Sequence, residues 1–74
     1  MQITIYSKSE CGHCVRAVNA LNARKIPFIE LKLGRDFDRE ELFNQVPTAR
    51  TYPVVVVEGK HIGGADQLIK ILGE

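Results

Sequence analysis

Apolar positions along the chain follow two periods, and the switch between them marks out the elements. Ile3 and Ile5 alternate with Gln2, Thr4 and Tyr6, which predicts a strand over residues 2–6. Residues 7–10, SKSE, are polar and read as a loop. Cys14, Val18 and Leu21 then fall at i, i+4 and i+7, with the good helix formers Ala17 and Ala20 between them. They predict a helix from Cys11 that stops just before Pro27, after the basic pair Arg24-Lys25. Phe28, Ile29, Leu31 and Leu33 make residues 27–32 a second strand. Gly34 opens a loop. Asp38 with Glu41 three residues on has the form of a capping box, and Phe37 and Leu42 have the spacing of a hydrophobic staple. A short helix is expected over 38–46, ending near Pro47. The run PVVVV, residues 53–57, suits a central buried strand. Glu58-Gly59 is a two-residue turn, Lys60-His61-Ile62 the returning strand, and Gly63-Gly64 its end. Ala65 to Leu72 closes the pattern as a helix with Ala65, Leu68, Ile69 and Leu72 on one face.

The order is β-α-β-α-β-β-α, an α/β arrangement. Its first β-α-β unit should cross over right-handed between parallel strands. Its last two strands should form a hairpin, giving a four-stranded mixed sheet with three helices. The first helix starts at the carboxyl end of the first strand, where open α/β sheets place their chemistry.

Composition narrows the classes. Seventy-four residues, 45% hydrophobic and 26% charged, suit a single globular domain spanning residues 1–74. A chain this short has a limited core and often leans on a disulfide, a metal or a second copy. A net charge of +1, with basic residues scattered, excludes a nucleic-acid binder that works through bulk charge. The first ten residues lack the basic flank and apolar stretch of a signal peptide, and no apolar run is long enough to span a membrane. The expectation is a cytoplasmic protein with no membrane partner, in a reducing compartment where a permanent disulfide is unusual.

The only two cysteines, Cys11 and Cys14, lie three positions apart at the predicted strand-to-helix junction. Structural zinc wants four ligands. Here His13 sits inside the pair and His61 has no histidine three to five residues on, so no metal is expected in one chain. A structural staple closing so short a loop contributes only roughly 2 kcal/mol before strain. A redox pair fits the placement. The first sulfur stands at a helix N-terminus, where unpaired N–H groups and the helix dipole favour a thiolate. Cys11 is then the exposed attacking thiol, and Cys14, sharing a face with Val18 and Leu21, the buried resolving thiol. Gly12 permits a tight start to the helix. A protonated His13 would stabilise the Cys11 thiolate and make the couple more oxidising. Lys8 would favour the thiolate or an anionic ligand.

The stretch Tyr6-Ser7-Lys8-Ser9-Glu10-Cys11-Gly12-His13-Cys14 resembles the active-site segment of dithiol glutaredoxins. Thr51-Tyr52-Pro53 resembles the family's Thr-Val-Pro, and Gly63-Gly64-Ala65-Asp66 its Gly-Gly-x-Asp, in the same order and spacing. The resemblance covers nearly the whole chain. It implies a thioredoxin-like fold, thiol–disulfide exchange catalysis, and glutathione as reductant and co-substrate. It implies a cis bond before Pro53, beside the sulfurs, with the backbone of Tyr52 turned to an incoming peptide. It assigns the γ-glutamyl ammonium of glutathione to Asp66, whose neighbouring backbone N–H groups at Gly64 and Ala65 would hold the carboxylate. It assigns the glycine carboxylate to Lys8, with Arg50 a weaker choice. It also implies a monomer acting on disulfide-bearing or glutathionylated proteins, ribonucleotide reductase among them.

The departures bear on substrate preference. Gly12-His13 stands where the family usually has Pro-Tyr and is the pair found in protein disulfide isomerases. Tyr52 replaces a valine, Ala65 a frequent cysteine, and the chain is near the family's short limit. The rival readings are a redoxin of the same fold served by thioredoxin reductase, a non-catalytic module in which Cys11 and Cys14 of two chains share zinc or an iron–sulfur cluster, and a disulfide isomerase.

Overall fold

The computed structural model describes residues 2–73. Its elements are β1 (Ile3–Ser7), α1 (Gly12–Ala23), β2 (Ile29–Lys32), α2 (Arg39–Gln45), β3 (Val54–Val57), β4 (Lys60–Gly63) and α3 (Ala65–Ile71). The sheet order is β2-β1-β3-β4. β1 pairs parallel with β2, while β1 with β3 and β3 with β4 are antiparallel. This is the expected mixed sheet with three helices.

Alternation along the inner strands sends side chains to two cores. Ile3 and Ile5 of β1 and Val55 of β3 meet Ala17 and Leu21 of α1 and Ala65 and Leu68 of α3. On the other face, Val54 meets Phe37, Leu42, Val46 and Ala49, with Tyr6, Leu31, Leu33 and Tyr52 packed around them. The run of valines therefore serves both faces, as its lack of polar positions required. Ile29 shares the alternation of Leu31 and Leu33 but stays 48% exposed, because the α2 core does not reach that end of the edge strand.

Local signals account for most element ends. The Asp38 side chain accepts from Glu41 N–H at 2.8 Å and the Glu41 carboxylate from Asp38 N–H at 3.1 Å, completing the capping box. Phe37 and Leu42 share a core. Glu58 and Gly59 both have positive φ, 52° and 77°, as a type I′ hairpin turn requires. A bulge between Val55 and Val56 lets Gly63 pair with Val55.

Two boundaries differ from the expectation by more than one residue: β2 starts at Ile29 and not at Pro27, and α1 stops early. α1 ends at Ala23, well before Pro27. Lys25 takes a left-handed φ of 56°. Its N–H donates to the Asn22 carbonyl, and that of Ile26 to the Leu21 carbonyl, both at 3.0 Å. This is the Schellman arrangement, with lysine where glycine is commoner. Ile26 then packs on the α1 core, so the proline follows a stop already made.

Candidate functional site

β1 delivers the chain to the site, and α1 starts there. Cys11 is the N-cap of α1, and its Sγ accepts the Cys14 N–H at 3.3 Å. One of the helix's unpaired amides thus points at the sulfur, as a thiolate there would need. Cys11 and Cys14 are joined as a disulfide with Cα atoms 5.3 Å apart. Cys14 is 3% exposed, whereas Cys11 is half-buried. Gly12 is exposed at the first position of α1, and a Cβ there would meet nothing within 4 Å. The helix start has room for a side chain.

One cleft opens on Cys11, and a second meets it at His13, Thr51 and Tyr52. The larger, about 550 Å³, is lined by Lys8, Cys11, His13, Arg50, Thr51 and Tyr52 together with Arg39, Leu42 and Phe43. The smaller, about 290 Å³, runs from His13, Thr51 and Tyr52 past Pro53 to Gly64, Ala65 and Asp66. Cys14 lines neither. It opens with Cys11 onto a third groove, of about 460 Å³, along Val15, Val18 and Glu30. Every residue given a catalytic or glutathione-binding role in the sequence lies on one of these walls.

Their surroundings differ. The Tyr52–Pro53 bond is cis. Lys8 Nζ stands 5.5 Å above the centroid of the Tyr52 ring and, among the described residues, has no carboxylate partner. Tyr52 stacks on Phe37, centroids 6.5 Å apart, and its hydroxyl is buried without a hydrogen-bond partner among the described residues. The Arg50 guanidinium donates to the Pro47 and Ala49 carbonyls, each at 3.3 Å, so it also braces the segment after α2. The Ala65 methyl belongs to the α1/α3 core. The Gly64 N–H already donates to Gln67 Oε1 at 2.9 Å. Gly63 has φ +126°, and a Cβ there would come within 2.8 Å of the Gln67 side chain, so glycine is required.

His13 and Asp66 share a partner that the sequence reading missed. Arg16 Nη1 lies 2.9 Å from His13 Nδ1, and Arg16 Nη2 donates to Asp66 Oδ1 at 2.9 Å. Guanidinium has donors only, so Nδ1 is the acceptor and the ring proton sits on Nε2. Arg39, Phe43 and Gln67 also went unnoticed. Arg39 and Phe43 had a signal in hindsight: they stand at i and i+4 in a short helix whose core face is Leu42, exposed side chains on a cleft wall. Among the described residues no three His, Cys, Asp or Glu side chains gather into a metal-ligating group, and no helix is long and apolar enough to cross a membrane.

Residues 3–62 match the family model described as glutaredoxin. Glutaredoxin 3 of Escherichia coli K12 is 34% identical over 67 residues, covering 89% of this chain and 80% of that protein. Glutaredoxin-C6 of rice, Oryza sativa subsp. japonica, is 33% identical over 75 residues, 97% of this chain and 67% of that one. Among solved structures, glutaredoxin 1 of Francisella tularensis, complexed with cacodylate, superposes with a TM-score of 0.79 at 24% identity, covering 99% of this chain and 98% of that one. A buckwheat glutaredoxin–glutathione complex superposes with a TM-score of 0.76 at 28% identity, over 92% of this chain and 64% of that one. The chain belongs to the glutaredoxin family, has its thioredoxin-like fold, and is a thiol–disulfide oxidoreductase by that membership.

Proposed function

For this member of the glutaredoxin family we propose glutathione-dependent reduction of protein disulfides and of glutathione mixed disulfides. The carrying observation is the unequal access to the two sulfurs. Cys11 lines the large cleft, and Cys14 is 3% exposed and does not. A disulfide arriving through that cleft meets one sulfur only.

The Cys11 thiolate, facing the Cys14 N–H, attacks one sulfur of the substrate. A Cys11–substrate disulfide forms and the other substrate sulfur leaves as a thiolate. Cys14 then attacks Cys11 Sγ, releasing the second substrate thiolate and closing the Cys11–Cys14 disulfide. One glutathione thiolate attacks Cys11 Sγ and frees Cys14. A second attacks the glutathione on Cys11, returning both cysteines to thiols and leaving glutathione disulfide. Two electrons pass from two glutathiones to one substrate disulfide. From a glutathionylated protein, Cys11 alone takes the glutathione.

Glutathione is a tripeptide with two carboxylates and one ammonium, and the walls fit that charge pattern. Lys8 has no carboxylate partner among the described residues and would take the glycine carboxylate, with Arg50 beside it. Asp66, across the smaller cleft, would take the ammonium. Thr51 and Tyr52, shared by both clefts, would run beside the peptide backbone, with Pro53, Gly64 and Ala65 shaping the far wall. His13 would stand over the bound sulfur. The reading includes a monomeric cytoplasmic protein, with ribonucleotide reductase among its protein substrates.

The test is a glutathione-coupled disulfide reductase assay. Cys11→Ser should lose turnover on every substrate. Cys14→Ser should lose it on protein disulfides and keep it on glutathionylated proteins. Equal rates for wild type and Cys11→Ser would refute the proposal, and turnover with thioredoxin reductase but not with glutathione would replace its reductant.

A further inference from the structure

The smaller cleft has one flank on α1 and one on α3, His13 and Asp66. Both are held from outside the cleft by the single guanidinium of Arg16, which does not line it. Among the described residues Asp66 has no other side-chain partner, and its side chain is 75% exposed. An ion pair so exposed contributes little to stability. Its consequence is geometric. A short carboxylate that would otherwise rotate freely is fixed through Oδ1, leaving Oδ2 unpaired, and the imidazole opposite is fixed by the same rigid fork.

We infer that Arg16 is a positioning residue for recognition of the ligand's α-ammonium: by holding Asp66 against α1 through one oxygen, it presents the other to the incoming cation. The inference rests on the reading of Asp66 as the ammonium subsite. Arg16 also repels a cation near the same carboxylate. At so exposed a pair, water and salt screen that repulsion, so the loss of rotational freedom decides the sign.

The experiment measures an equilibrium, not a rate. In a Cys14→Ser background, Cys11 exchanges with glutathione disulfide to give the Cys11–glutathione disulfide and one free glutathione. Acid-quenched mixtures are quantified by mass spectrometry. The same constant is measured with the disulfide of glutaryl-cysteinyl-glycine, which lacks only the ammonium. The ratio of the two constants reports ammonium recognition and cancels any change at the Cys11 sulfur. We expect a ratio of roughly tenfold, the size of a hydrogen bond to a charged group. Asp66→Ala should bring it to about one. Arg16→Ala should lower it to about threefold, and the double variant should match Asp66→Ala alone. Arg16→Lys, which keeps the charge without the fork, should stay as low as Arg16→Ala. An unchanged or raised ratio in Arg16→Ala, or full recovery with lysine, overturns the inference and leaves the Asp66 reading standing. A parent ratio near one, or a ratio that Asp66→Ala does not lower, overturns both.

Discussion

The two faces of the sheet solve different problems. The face under α1 and α3 has an aliphatic, closed centre, with Ile5, Ala17, Leu21 and Val55 at 0% exposure and Phe28 only partly buried against it. It fixes the start of α1, and with it the cysteine pair, against the strands. The face under α2 is aromatic and shallower. Phe37 and Val46 keep 8% exposure, Tyr6 meets Phe37 edge-on at 5.2 Å, Phe43 is 45% exposed, and the Tyr52 hydroxyl is buried without a partner among the described residues. This face forms the wall of the large cleft. Reactive sulfurs need a fixed geometry, and a wall that meets substrates of several shapes does not. The dense core lies under the first and the looser one under the second.

The largest expected effect tests that asymmetry directly. Leu21→Ala should cost about 3 kcal/mol, since a fully packed site cannot collapse onto the cavity. Leu42→Ala, 2% exposed on the looser face, should cost about 2 kcal/mol, at the low end for such substitutions. Urea unfolding of both variants measures the gap, and equal losses would show the two cores to be equally tight. Tyr52→Phe removes a buried hydroxyl that has no partner among the described residues and should stabilise the protein by about 1 kcal/mol. A loss of stability instead would mean that ordered water satisfies the hydroxyl and that this wall is better built than its contacts show.

The smallest effect lies in the loop that feeds Phe37 into the α2 core. Asp36 accepts from the Arg35 guanidinium and from Lys32 N–H, both at 2.8 Å, and these bonds, the arginine's first, hold its carboxyl below the ordinary value of 3.8. A carboxyl depressed on folding stabilises the folded chain above its unfolded pKa, and that stabilisation is lost as pH falls through the folded value. Asp36→Asn should therefore flatten the stability profile below about pH 4, with a small loss at neutral pH, where the carboxylate's contribution is present, and no change at the acid extreme, where it is already gone. An equally steep profile would show that the acid response arises elsewhere.

Most of this architecture was legible in residue order. Alternation at Ile3 and Ile5, the capping box at Asp38 and the Glu58-Gly59 turn are local signals, and each produced its element. The end of α1 was not legible, because a lysine at left-handed φ carries no signature and Pro27 offered a plausible wrong stop. Ile29 reads as core, yet it lies at the end of an edge strand that α2 does not cover. At the site, Lys8, the cysteines, the Thr-x-Pro segment and Asp66 were visible as motifs. Arg16 was not. Its spacing to His13 is that of any helix pair, and its partner Asp66 lies fifty positions away. Only the packing of α3 beside α1 joins them.

The hairpin tip has a practical use. Glu58 N–H donates to the Gln2 carbonyl at 2.9 Å, so the Glu58-Gly59 turn sits beside the start of β1, while the disulfide lies beyond its other end. The hollow near the tip, between Gln2, Pro27, Phe28 and Glu58, shares no residue with either cleft. A fluorescent protein spliced in there would incur mainly loop-closure entropy, which grows slowly with length. The strand between the splice and the sulfurs would carry a fixed orientation from reporter to redox centre, and that makes this pole the place to build a sensor.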